Sequence, residues 1–102
     1  MTTQRFPVID PTEKITLSFD FSAGLASGET LTGSPVVVVT VDYGVDASPQ
    51  AIVLASAISG SLVNVIVNNT KDGVDYHVHV TTTTSNAQKT LALAGILPSR
   101  AL

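Results

Sequence analysis

With 102 residues and no cysteine, the chain has room for one hydrophobic core and must hold it without disulfides or thiolate-bound metal. A net charge of −3 and five scattered basic residues (Arg5, Lys14, Lys71, Lys89 and Arg100) exclude a nucleic-acid binder, whose phosphate contacts need a clustered cationic surface. No apolar run approaches the ~18 residues that span a bilayer. The first seven residues also lack the apolar core of a signal peptide, so synthesis in the cytoplasm and no membrane contact are expected.

Charged residues make up 13% of the chain, about half of the ~25% usual in a soluble domain. Two accounts fit that scarcity. Either Thr, Ser and Asn supply the solvent face of a small β-domain, or much of the surface is covered in an assembly.

Residues 1–13 contain Pro7 and Pro11 and no sustained period, which predicts an extended N-terminal arm. Phe6, Val8 and Ile9 are more apolar than a solvated arm requires. Residues 14–21 alternate, with Ile15, Leu17, Phe19 and Phe21 on one face and Thr16, Ser18 and Asp20 on the other, the period of a half-buried strand. Residues 22–28 are small and Gly-containing and read as a loop. A short strand is expected at 29–31, interrupted by Gly33-Ser34-Pro35, before a β-branched run at 36–43 suited to a strand covered on both faces.

Residues 44–49 form a turn, and 51–58 are expected to be a strand because eight residues before a Ser-Gly-Ser turn are few for a helix. Residues 62–68 make a further strand. Residues 74–84 make the longest alternation: Val74, Tyr76, Val78 and Val80 face one way, and Asp75, His77, His79 and Thr81 the other. Residues 89–94 complete the sheet, and the chain is expected to leave it at Gly95 and Pro98 as a C-terminal tail, 95–102.

Seven or so short strands with regularly spaced turns predict an all-β immunoglobulin/fibronectin-III-like antiparallel β-sandwich over residues 14–94, with extended N- and C-terminal arms. Tyr76 follows a Gly73-containing turn closely, as the tyrosine of a tyrosine corner does. Its ring should pack in the core while its hydroxyl finds nearby backbone.

Two blocks resemble the phage fiber–tail adaptor family, small virion proteins of tailed bacteriophages. The first is Asp10-Pro11-Thr12-Glu13-Lys14-Ile15, continued by Asp20-Phe21-Ser22-Ala23-Gly24-Leu25 and Gly28-Glu29-Thr30-Leu31. The family opens with an Asp-Pro lead, a strand ending in Asp-aromatic-Ser and a Gly-acidic-Thr-aliphatic step; Phe21 stands where tryptophan is usual. The second block is Asn68-Asn69-Thr70-Lys71-Asp72-Gly73-Val74-Asp75-Tyr76 with Val78, Val80 and the threonines 82–84. Asn68-Asn69 replaces a usual glycine pair, a mild change because Asn tolerates left-handed backbone.

The resemblance covers about residues 9–94. It implies a non-enzymatic structural piece of a phage tail, made in the host cytoplasm and placed in the virion tail or head–tail region. Its expected partners are other tail, connector or fiber proteins, and copies of itself in a symmetric ring. Phe6, Val8, Ile9, Ile96, Leu97 and Leu102 are the expected contacts with neighbouring subunits, the arms being dispensable for folding. Asp20, Phe21, Gly73 and Tyr76 are expected to be structural. Within the same particle a head-completion, tail-terminator or decoration role is an alternative; outside it, an Ig-like adhesion or carbohydrate-binding module.

Catalysis and cofactors find little support. His77 and His79 share a strand face and could offer two imidazoles to a metal, but the set needs a third ligand such as Asp75, and an exposed polar face explains the pair better. Asp72-Gly73 reads as a hairpin turn rather than an anion nest. Asp10 with Glu13, and Asp42 with Asp46, are carboxylate pairs without calcium-loop spacing. Asn68-Asn69-Thr70 fits a glycosylation sequon, without meaning in a bacterial cytoplasm. No serine sits in a nucleophile elbow or phosphate loop.

Overall fold

The computed structural model describes residues 4–102. The fold is two sheets packed as a sandwich. Among the described residues seven strands follow in chain order: β1 (Gln4–Arg5), β2 (Ile15–Asp20), β3 (Leu31–Tyr43), β4 (Val53–Ser59), β5 (Leu62–Val67), β6 (Val74–Thr84) and β7 (Thr90–Ser99). One sheet has the order β1-β7-β6-β3 and the other β2-β5-β4. All pairings are antiparallel except β1 with β7, which is parallel.

The alternation seen in the sequence sets which side chains enter the core. On β6, in the four-stranded sheet, Val74, Tyr76, Val78 and Val80 are buried. From the three-stranded sheet Val63, Val65 and Val67 on β5 and Leu17 and Phe19 on β2 face them, with Phe21 just past β2. A pleated strand sends successive side chains to opposite faces, so these positions meet only if the two sheets stack face to face.

Three expectations are corrected. The segment 29–43 is not two strands: β3 runs unbroken from Leu31 to Tyr43 and absorbs Gly33-Ser34-Pro35 as a register shift between Thr32 and Val36. Gly33 takes a positive φ of 74°, which lets the bulge form without breaking the pairing with β6. Nor is β3 covered on both faces: Val36 and Val38 are 57% and 45% exposed. Finally, β5 and β6 lie in different sheets, so the Asp72-Gly73 turn crosses the sandwich instead of closing a hairpin.

The arms also differ from expectation. The chain does not leave the sheet at Gly95; β7 continues through Pro98 to Ser99, with Tyr76 opposite Leu97 and Asp75 opposite Pro98. Proline is tolerated there because its missing N–H falls near the end of the strand. The N-terminal segment lies along β7: Phe6 N–H donates to the Ile96 carbonyl (2.9 Å), Ile9 N–H to Pro98 (3.0 Å), and Arg100 N–H to Ile9 (3.0 Å). Phe6 meets Phe19 edge to face, centroids 5.3 Å apart, so the segment touches both sheets. Gly95 makes that possible, since a Cβ there would collide with the Phe6 ring. Ile9 and Leu97 are fully buried in the chain's own core. Loss of residues 4–9 is therefore expected to open that core.

The free edge of β3 is blunted by one side chain. The Gln50 amide, on the 3₁₀ turn Pro49–Ile52, accepts from Val39 N–H (2.9 Å) and donates to the Val37 carbonyl (2.8 Å), as a paired strand would.

Two stability outcomes follow. Ile9→Ala should cost about 2–4 kcal/mol and lower Tm by roughly 10–20 °C, whereas Val8→Ala should leave Tm within a few degrees, read by calorimetry. Gln50→Ala should cost about 1–2 kcal/mol and speed amide exchange at Val39, measured by hydrogen exchange.

Candidate functional site

Most of the few carboxylates are engaged in turns. The Asp10 Oδ1 accepts from both the N–H (2.8 Å) and the hydroxyl (2.6 Å) of Thr12, while its Oδ2 accepts from Leu102 N–H (2.8 Å). These donors, the Leu102 amide foremost, hold the Asp10 carboxyl below its ordinary range. Glu13 reaches back to Asp10 N–H (2.7 Å) while Asp10 carbonyl accepts from Glu13 N–H (2.8 Å). The same reciprocal turn recurs at Ala26 and Glu29, where Glu29 also pairs with Lys89 at 2.7 Å. Asp20 accepts from Ser22 N–H (2.9 Å), which lowers its pKa and starts the turn that buries Phe21. The pair Asp10 and Glu13 is therefore a turn device, with its oxygens occupied by local donors.

Asp46 is tied to Tyr76. The Tyr76 ring is fully buried; its hydroxyl donates to Asp46 Oδ2 (2.7 Å) and accepts from Lys71 N–H (2.8 Å). One phenol thus fixes the β3–β4 loop and the segment leading into β6. Desolvation first, and the Asp46 bond second, push the Tyr76 hydroxyl up to about 12, while the same bond lowers Asp46. Gly44 and Gly73 sit beside this bridge. A Cβ on Gly44 would press on the Gly73 carbonyl, and Gly73, at φ 82°, donates its N–H to the Ser99 carbonyl (2.9 Å). Nearby, Arg100 pairs with Asp75 at 3.0 Å, and Asp72 accepts from Ala101 N–H (2.8 Å).

His77 and His79 lie on the outer face of the four-stranded sheet, half-buried, their rings nearly parallel with centroids 6.5 Å apart. Their cross-strand neighbours are Thr40 and Val38 on β3 and Ile96 and Ala94 on β7. Asp75, the candidate third ligand, is the partner of Arg100. Among the described residues no cluster of three His, Cys, Asp or Glu side chains is placed to hold a metal. None of the described helical segments is long and apolar enough to cross a membrane.

The six residues expected at a subunit interface divide by position. Ile9 and Leu97 are core, and Phe6 is half-buried against Phe19. Val8 (48% exposed) and Leu102 (90%) are open to contact, and Ile96 lies on the histidine face. Sequence reasoning missed a second exposed apolar set: Val36 and Val38 beside the histidines, with Tyr43 at the end of β3 (66% exposed) and Val45 in the β3–β4 loop (87%). The signal was the unbroken valine run at 36–39, which a strand with one solvated face would have alternated with polar residues.

A protein-family model described as podophage GP4 fiber-tail adaptor protein gp77 matches residues 10–93, more than four fifths of the chain. The chain belongs to this fiber–tail adaptor family. Neither a search of curated proteins nor one of solved structures finds a match. The match covers both sequence blocks, with the Asp10 turn and the Tyr76 bridge inside it, and the adaptor family is structural, with its place in the phage tail.

The Tyr76 bridge sets a pH dependence. The unfolded phenol titrates near 10.0 and the folded one near 12, so its contribution is present below pH 10 and is lost as pH rises toward 12. Asp46 acts in the opposite direction: its lowered folded pKa supports the fold above about pH 4, and that support is lost on further acidification. Tyr76→Phe should cost about 1–2 kcal/mol at neutral pH and reduce the stability lost between pH 10 and 12, followed by urea unfolding across pH.

Proposed function

We propose that this adaptor works without catalysis, as one copy in a symmetric ring that joins the tail to its fibers or to adjacent tail or connector subunits. The carrying observation is the exposed apolar set: Val8, Val36, Val38, Tyr43, Val45 and Leu102 stand out of a fold whose charged residues are few and whose carboxylates are mostly engaged in turns. Large apolar side chains held by strands and bonded loops gain about 25 cal/mol per Å² when a partner covers them, at little ordering cost. Among these positions Val8 and Leu102 remain the interface residues expected from the arms, with Ile96 contributing from the sheet face.

The immunoglobulin-like reading of the sandwich is supported by the strand orders β1-β7-β6-β3 and β2-β5-β4, and by the Tyr76 hydroxyl bonding to backbone five residues upstream. In this reading the sandwich is a rigid spacer, 43 Å long and 21 Å across, whose ends and outer face meet different neighbours in the particle.

The test is complementation of a phage lacking this chain with Val38→Glu, Val45→Glu and Leu102→Glu variants. Each should keep a Tm within a few degrees of the parent, because the positions are exposed, and should yield particles depleted of the adaptor and of fibers, scored by quantitative mass spectrometry. Normal incorporation of the triple variant with full fiber content would overturn the proposal.

A further inference from the structure

We infer that copies of this chain join by continuing the three-stranded sheet, the β4 edge of one copy pairing in parallel with the β2 edge of the next. The inference rests on the ring reading above and names the contact that would build the ring.

The two sheets manage their edges differently. In the four-stranded sheet the β3 edge is occupied by the Gln50 amide, and the β7 edge by the N-terminal segment carrying Pro7. The three-stranded sheet has no such cover: among the described residues β2 pairs only with β5, and β4 only with β5. Unpaired strand edges present rows of N–H and C=O groups, and proteins that work as monomers blunt them with charge, proline or covering segments.

β4 carries neither charge nor proline, and its one irregularity, a register shift between Val53 and Ala55, leaves residues 55–59 in a regular ladder. No charged residue or histidine occurs between residues 47 and 70, and β4 itself reads Val-Leu-Ala-Ser-Ala-Ile-Ser with residues 54–57 all exposed. On β2 the charges fall only at the margins, Lys14 before the strand and Asp20 at its end.

A second copy fits this edge for three reasons. β2 and β4 are six and seven residues long, so neither leaves a long overhang. Both are antiparallel to β5 and therefore run in the same direction, so shifting a copy sideways along the sheet sets β4 beside the next β2 in a parallel ladder. And on a chain with net charge −3, this uncharged flank is where like copies approach with least repulsion. The contact is head-to-tail, so it closes into a ring when the rotation per copy allows.

The cysteine-free chain permits a clean test. Thr16, Ser18, Ala55 and Ala57 are exposed, Thr16 and Ser18 opposite the core-facing Leu17 and Phe19, and Ala55 and Ala57 cross-strand from Ile66 and Asn64. Double variants pairing Thr16→Cys or Ser18→Cys with Ala55→Cys or Ala57→Cys are incorporated into particles and oxidised. The expected result is a ladder of covalent multimers from at least one double variant and none from the single variants. Dimers from Ala55→Cys or Ala57→Cys alone would overturn the inference in favour of a two-fold contact. Absence of cross-links in particles whose adaptor copies form a ring, seen by cryo-electron microscopy, would overturn it while leaving the ring reading intact. Particles without a ring of this chain would overturn both.

Discussion

The architecture depends on how one strand, β6, is held in the middle of its sheet. It pairs with β3 on one side and β7 on the other, and Val74, Tyr76, Val78 and Val80 enter the core from it. A chain of this size without disulfides buries a limited apolar area, so the position of that strand must be fixed by more than packing. The Tyr76 hydroxyl does this at the strand's start. By holding Lys71 and Asp46 it ties the crossing from the second sheet and the β3–β4 loop to the strand between them. The left-handed Gly73, bonded to Ser99, brings the end of β7 to the same place.

That arrangement explains how a chain with so little charge keeps ordered loops. Asp10, Asp20 and Asp46 each accept from the backbone N–H two residues on, and Glu13 and Glu29 each reach back three residues. Such local bonds satisfy turn backbone that no strand can satisfy. These acids serve turn backbone: Asp10 and Glu13 share one reciprocal turn, while Asp46 binds Ser48 and Tyr76 apart from Asp42 on β3. What is left outside is rich in apolar side chains and hydroxyls, with a few exposed charges such as Arg5, Lys14, Asp42 and Lys71.

The parts of this fold legible in the sequence were those governed by period two. β2, β5 and β6 were readable almost to the residue because in each a buried face alternates with a more accessible one. β3 and β7 were misjudged for a common reason: Gly-Ser-Pro at 33–35 and Gly95 with Pro98 look like strand breakers, yet tertiary context uses them. The first group becomes a bulge; Gly95 becomes the space that admits Phe6. The arm residues show the same limit from the other side. Phe6, Val8 and Ile9 were rightly too apolar for a solvated tail, but sequence does not say whether an apolar segment is covered by its own chain or by a neighbour. For Ile9 the cover is its own core, whereas Val8 remains outside. The exposure of Val36 and Val38 was hidden because a valine run reads as buried whichever molecule buries it.

Edge management is where the fold and the assembly meet. A sandwich has four strand edges, and each is an invitation to pair. Here the edges of one sheet are closed with the chain's own material, a glutamine amide and an N-terminal segment, at the cost of ordering both. A single Lys on β4 would protect the remaining edge, and its absence across the uncharged stretch 47–70 is what the proposed strand contact accounts for. The two uncovered edges run in one direction on one sheet, the geometry that the proposed head-to-tail contact uses. Under that proposal the outer valine–histidine face stays free for a partner that is not a copy of this chain.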